Sequence, residues 1–180
     1  MYNHAVTLLL PTKFYLPPIP AGYVARPHLF EMLDGALSCR LTLVSAPAGA
    51  GKTTLVSTWA QSLRKRGVAS SWYALDSADN DPARFLEYLV ACLEDCGVVI
   101  DLGMPAPGAG NAAGGIDGLD AIIRGLLDLP RALLLILDDY HLIQNKEVHA
   151  ALEYLLAHAP PCLHLVLLTR SDPPFGLARL

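Results

Sequence analysis

The spacing of apolar positions alternates along the chain between strand-like runs and helical stripes. Residues 40–45 carry a short β-type run, Leu41, Thr42, Leu43 and Val44. Leu55, Val56, Trp59, Ala60 and Leu63 then recur at helical spacing until Gly67, a residue that readily adopts the left-handed turn ending a helix. Residues 70–75 read as a second strand. Phe85, Leu86, Leu89, Val90 and Leu93 follow on one helical face, behind an Asp81 cap and a Pro82 suited to the first helical position. Ile116, Leu119, Ile122, Ile123, Leu126 and Leu127 mark a further helix. Residues 132–137 are continuously apolar and read as a third strand. Asn145 can cap a helix carrying Val148, Leu152 and Leu155, and residues 163–168 make a last strand. A short helix over 26–37, with Leu29, Met32, Leu33 and Leu37 on one face, precedes them all. Strands alternating with helices predict an α/β fold, a mostly parallel sheet with helices on both faces.

Two stretches break this rhythm. Residues 1–25 hold Pro11, Pro17, Pro18 and Pro20 and read as an extended lead-in. Residues 103–115 are rich in Gly, Ala and Pro and read as a flexible loop. Its Gly108-Ala109-Gly110-Asn111-Ala112-Ala113 is like a dinucleotide fingerprint. Met104-Pro105-Ala106-Pro107 stands where the required strand should be, so that reading is rejected. The domain expected is therefore residues 26–180, one hydrophobic core being normal for 180 residues.

Composition narrows the class. Hydrophobic residues at 53% and charged residues at 17% exclude a disordered chain. The apolar run at 132–137 is far shorter than the roughly 20 residues of a membrane-spanning helix. No basic leader precedes Leu8-Leu9-Leu10, so a secretory signal is not expected and a cytoplasmic setting is. Cys39, Cys92, Cys96 and Cys162 then read as reduced thiols, with Cys92 and Cys96 buried beside Phe85 and Leu89. A net charge of −4 gives no electrostatic footprint for nucleic acid. The basic run Arg64-Lys65-Arg66 reads as the solvated, dipole-complementing end of a helix.

The chemistry concentrates between the first strand and the helix that follows. Ala46-Pro47-Ala48-Gly49-Ala50-Gly51-Lys52-Thr53-Thr54 has the pattern of a phosphate loop. Phosphates need several converging backbone N–H donors, and Gly49 and Gly51 let the backbone approach. Lys52 would reach the β- and γ-phosphates and Thr53 would ligate Mg2+. The first glycine of the pattern is Ala46 here, which is tolerable where φ stays negative. The strand at 132–137 ends in Asp138-Asp139, at the sheet edge where open α/β sheets bind ligands. Asp138 would hold Mg2+ and Asp139 would orient the attacking water. Arg170, beyond the last strand, could sense a γ-phosphate or simply pair with Asp172. His141 is open to a catalytic or a structural role.

Four blocks of this sequence resemble one family. They are Thr12-Lys13 through Val24-Ala25-Arg26-Pro27-His28-Leu29; the loop at 45–54; Trp72-Tyr73-Ala74-Leu75-Asp76 with Asp79-Asn80-Asp81 and Phe85; and Leu137-Asp138-Asp139-Tyr140-His141-Leu142-Ile143. The segment Leu168-Thr169-Arg170-Ser171-Asp172-Pro173-Pro174 is similar too. Together they resemble the ATPase domain of MalT-type regulators, large ATP-dependent LuxR-family activators of the STAND class of P-loop NTPases. The resemblance implies Ala48, Gly49, Ala50, Gly51, Lys52, Thr53 and Thr54 around ATP or ADP, and Thr53 and Asp138 on Mg2+. It also implies Asp139 and Arg170 in catalysis, and Val24 and Arg26 near the nucleotide. Such proteins self-associate through this domain and bind DNA through a distant C-terminal one, which 180 residues cannot include. A signalling switch is thus expected. A small-molecule kinase and a binding-only module remain as alternatives.

The resemblance further implies a three-layer α/β/α fold of the additional-strand type, with strand order 5-1-4-3-2. Only four of those strands are legible, so the fifth is expected after Leu180. The strand at 40–45 would then be a bare edge, covered by the lead-in, by a second copy, or by solvent with a tendency to self-associate.

Overall fold

The structure, a computed structural model, describes residues 9–102 and 116–174. The loop expected at 103–115, and Arg179, lie outside the described residues. In chain order the main elements are α1 (Pro27–Ala36), β1 (Leu41–Ser45), α2 (Lys52–Lys65), β2 (Ala69–Ala74) and α3 (Pro82–Asp95). α4 (Ile116–Leu127), β3 (Leu133–Asp138), α5 (Lys146–His158) and β4 (Leu163–Thr169) follow. The local signals are used as expected. The Asp81 side chain accepts from the Arg84 N–H to cap α3, with Pro82 in its first turn. Asn145 accepts from the Glu147 N–H to cap α5.

The four strands pair in parallel in the order β1-β4-β3-β2. This is the 1-4-3-2 part of the expected order. Alternate residues serve opposite faces, as the pleat requires. Leu133, Leu135, Leu137, Leu163, Leu165 and Leu167 pack with α3, α4 and α5. Leu134, Ile136, Val166 and Leu168 pack with Leu33 of α1 and with Val56, Trp59, Ala60 and Leu63 of α2. The result is a three-layer α/β/α sandwich with β3 and β4 buried along their whole length.

Two strand ends differ from the apolar runs. β3 runs through Asp138 and β4 through Thr169, because the pairing of Ala74 with Asp138 and of Ser45 with Thr169 continues past the last apolar side chain. Asp138 is thus inside the sheet and buried, not in a turn after it. The basic run closes α2 as expected and is exposed, and two of its members also find partners. Arg64 Nε donates to Ser70 Oγ at 2.6 Å and Arg66 pairs with Asp34 at 2.7 Å. Cys92 and Cys96 are buried free thiols, as their spacing predicts, and burial pushes both thiols above their ordinary pKa.

The lead-in differs most. Pro11–Phe14 forms a 3-10 turn. Leu9 and Phe14 pack on the α3 side of the sheet and Leu16 on the α2 side. The chain therefore passes around the free edge of β2, against which the 3-10 turn rests. Among the described residues it leaves β1, the edge it was one candidate to cover, at the end of the sheet, with Leu41, Thr42, Leu43 and Val44 only half-buried. Lys13 secures the lead-in: its ammonium is buried and pairs with Asp79, and with Asp76 at 2.8 Å. It also sits 4.9 Å from the centroid of the Tyr88 ring, a favourable cation–π distance.

Candidate functional site

Parallel register brings the C-terminal ends of β1, β3 and β4 to one edge, so Ser45, Asp138 and Thr169 are near neighbours. The loop leaving β1 is tied to this edge by the Ala46 N–H, which donates to the Thr169 carbonyl at 3.3 Å. Gly49 and Gly51 take φ of +77° and +87°, left-handed values that only glycine adopts cheaply. A Cβ at either would meet open space, so backbone conformation and not crowding demands the glycine. Ala46 is not among the positive-φ residues, which accounts for an alanine at the pattern's first position. Gly51 is the N-cap of α2, so the first N–H groups of that helix face the loop with its positive dipole end.

Lys52 Nζ donates to the Ala46 and Pro47 carbonyls at 2.6 and 3.1 Å, folding over the loop. Thr53 Oγ1 donates to Asp138 Oδ2 at 3.0 Å and so joins α2 to β3 at the floor of the site. Above them is a cavity of about 330 Å³, lined by Ala48, Gly49, Gly51, Lys52, Thr53, Thr54, Asp139 and Arg170. Asp139 follows β3 in a left-handed conformation, φ +56°, the one non-glycine among the described residues to do so. Its N–H donates to Asp138 Oδ1 at 2.9 Å. Beyond β4, Thr169 Oγ1 donates to the Ser171 carbonyl, bending the chain where Arg170 projects. Arg170 Nη2 lies 3.9 Å from Asp139 Oδ1, and no ion pair with Asp172 forms among the described residues.

Most residues expected at the site therefore converge on one cavity. Ala50, Val24, Arg26 and Asp138 do not line it: Val24 is 74% exposed, and Asp138 is buried behind Thr53, which it meets by a hydrogen bond. His141, left open by the sequence, comes to the rim. Its Nδ1 lies 3.8 Å from Asp139 Oδ1, too far for a hydrogen bond. Burial first, and the Arg170 charge next, hold its imidazole below the ordinary histidine pKa. The imidazole is therefore neutral at neutral pH.

Asp138 is held above the usual carboxylate pKa by burial and then by the Asp139 charge, against the lowering effect of Thr53. A raised folded-state value means the folded protein binds more protons than the unfolded chain between the two pKa values. Stability then falls as pH rises through that window, and ionised Asp138 is a net cost above it. Asp138→Asn is accordingly expected to raise the thermal midpoint at pH 7 without Mg2+, by about 2–4 °C per kcal/mol recovered in a chain of this size. Differential scanning calorimetry at pH 7 checks this. A lower midpoint for the Asp138→Asn variant would mean that the Thr53 and Asp139 hydrogen bonds outweigh burial.

Comparison with known proteins adds to this geometry. Two curated relatives are both HTH-type transcriptional regulators named MalT. The one from Serratia proteamaculans is 38% identical over 174 residues, and the one from Cronobacter sakazakii 37% over the same length. Each alignment covers 96% of this chain and 19% of the relative, so the chain spans about a fifth of the length of the curated relatives it matches. Among solved structures, the Aeropyrum pernix ORC1 protein in complex with DNA superposes with a TM-score of 0.59 at 16% identity, covering 84% of this chain and 40% of that one. Cdc6p from Pyrobaculum aerophilum gives 0.57 at 15% identity, covering 91% and 44%. These structural likenesses speak to the fold alone. The family model described as AAA ATPase domain matches residues 25–168, and the protein belongs to that family.

Proposed function

We propose that the chain is the ATP-binding, slowly hydrolysing switch module of a signal-responsive transcriptional regulator working in the cytoplasm. One observation carries the reading: the Thr53 hydroxyl meets the Asp138 carboxylate at the base of a glycine loop whose rim holds Asp139 and Arg170. Two adjacent oxygen donors on opposite elements suit a hard cation such as Mg2+, which takes few protein ligands and completes its shell with water and phosphate oxygens. Bound there, Mg2+ would neutralise developing phosphate charge. The loop N–H groups and Lys52 would hold the phosphates of ATP or ADP. Val24 and Arg26, as in the resembling family, would lie nearer the base and ribose. Asp139 would orient water, its Oδ1 lying between Arg170 and His141, and Arg170 would read the γ-phosphate by its planar fork.

ATP would then favour an active, self-associating state and hydrolysis would reset it. DNA binding would belong to parts of the full-length regulator outside this segment. A small-molecule kinase has less support: after Asp138 this sequence has only Lys146, Arg170 and Arg179 as lysines and arginines, too few to clamp a transferred phosphoryl group.

Asp139→Asn is expected to keep ATP affinity and slow phosphate release about 100-fold or more. Arg170→Ala is expected to narrow the affinity difference between ATP and ADP. Phosphate release with Mg-ATP and no acceptor, alongside calorimetric titrations of both nucleotides, tests the reading. Phosphate appearing only on an added metabolite, or an Asp139→Asn variant hydrolysing at the parent rate, would overturn it.

A further inference from the structure

The turn between β2 and α3 carries an asparagine that the nucleotide site does not touch. Asn80 is nevertheless the most connected polar side chain near it. Its Oδ1 accepts from the backbone N–H of Gln144 at 2.6 Å and of Asn145 at 2.9 Å. Its Nδ2 donates to the Leu142 carbonyl at 2.9 Å and to the Ser77 carbonyl at 3.0 Å. The Asn145 side chain returns a bond to the Asn80 carbonyl at 2.8 Å. Every one of these bonds but the Ser77 one lands on the segment that follows Asp139.

That segment needs an anchor. Asp139 is a non-glycine residue at φ +56°, a conformation that persists only where its surroundings over-determine it. Upstream it is fixed by β3 and by its own N–H to Asp138 Oδ1. Immediately downstream lies one tight turn, in which the Leu142 N–H bonds the Asp139 carbonyl and the Ile143 N–H the Tyr140 carbonyl. The side chains of that turn are held as well, since Tyr140 and Ile143 are buried in the core and the Tyr140 hydroxyl meets His149 Nδ1 at 2.7 Å. The backbone beyond the turn is held by the Asn80 bonds at residues 142, 144 and 145. An amide side chain suits the task, since it offers donors to the one carbonyl and an acceptor to the two N–H groups.

We infer that Asn80 is a positioning residue for the reaction: by clamping residues 142–145 it holds Asp139 in its left-handed conformation, with the carboxylate facing Arg170. This rests on the ATPase reading above. Asn80 touches neither the cavity nor its lining, so its removal should spare binding and slow chemistry. Misplacing a reacting group by about 1 Å can cost up to about 100-fold.

The test uses the full chain, Asn80→Ala, Asn80→Asp, Asp139→Asn and the Asn80→Ala/Asp139→Asn double variant. Phosphate release, ATP affinity and amide hydrogen exchange are measured on each. Asn80→Ala should lower the turnover about 10- to 100-fold with ATP affinity within about 2-fold. In the Asp139→Asn background the same change should add less than about 2-fold, because both substitutions act through one carboxylate. The Leu142 and Ile143 amides, which do not bond Asn80 themselves, should exchange faster in Asn80→Ala. They should fall between the parent and Asn80→Ala in Asn80→Asp, which keeps both acceptor contacts but sets a carboxylate oxygen against the Leu142 and Ser77 carbonyls. An additive loss in the double variant, or unchanged exchange at those two amides, overturns the inference. If the parent chain releases no phosphate, the ATPase reading fails, and exchange alone then decides whether Asn80 holds the Asp139 turn.

Discussion

Lys52→Ala is expected to weaken nucleotide binding about 100-fold. The lysine is the one full positive charge in the loop at 46–54. Charge-assisted hydrogen bonds contribute about 1.5–3 kcal/mol each, and 1.4 kcal/mol is tenfold in affinity. Lys52 Nζ lies over the Ala46 and Pro47 carbonyls, so a small rotation exchanges those partners for phosphate oxygens. Fold stability should not fall with it. Lys52 opens α2, where a positive charge opposes the helix dipole, and its hydrogen-bond partners are loop carbonyls. The expected pair of results is therefore a large loss in titrations of a fluorescent ATP analogue with Mg2+ and an unchanged or slightly raised thermal midpoint. Parent affinity in the alanine variant would remove the phosphate loop from its role.

The phosphate loop and the acidic strand end were legible because their chemistry is local. Glycine at 49 and 51 signals a backbone conformation, and a strand ending in carboxylates signals a position at the sheet edge. Asp138 and Thr53 are 85 residues apart, yet each is placed by a short pattern and the parallel sheet joins them. Arg170 was legible from its place just beyond the last strand, and the resemblance supplied the strand order, which periodicity alone does not. What stayed hidden depends on contacts between distant turns. Asn80 reads as an ordinary turn residue until the fold brings residues 142–145 beside it. His141 reads either way, because only the fold places it across from Asp139. Lys13 lies in a proline-rich stretch whose sequence carries no sign of a buried ion pair. The carboxylates that bury it, Asp76 and Asp79, lie more than 60 positions along the chain.

Lys13 therefore makes the stronger test of how this fold is held. Lysine is rarely buried unless paired, and here its partner Asp79 is fully buried as well. Asp79 also receives the Asp76 N–H at 2.8 Å and Arg84 Nε at 3.1 Å. Removing one member of a buried pair strands the other charge, at a cost of about 3–5 kcal/mol. Arg84 remains beside Asp79 in Lys13→Met, which puts the expected loss near the lower end, about 3 kcal/mol. For a chain of this size that lowers the thermal midpoint by about 6–12 °C. The exposed Arg66–Asp34 pair is the control, since surface pairs contribute about 0–1 kcal/mol, and Arg66→Ala should shift the midpoint far less. The loss should also have a location. Lys13 pins the segment that wraps β2, so its removal frees the backbone edge of that strand for pairing with other chains. Thermal melts should fall while light scattering rises, and limited proteolysis should cut within residues 9–25 sooner than in the parent. If Lys13→Met melts within about 2 °C of the parent and scatters no more light, the lead-in is held by its apolar contacts, Leu9, Phe14 and Leu16, and the buried ion pair contributes little to the fold.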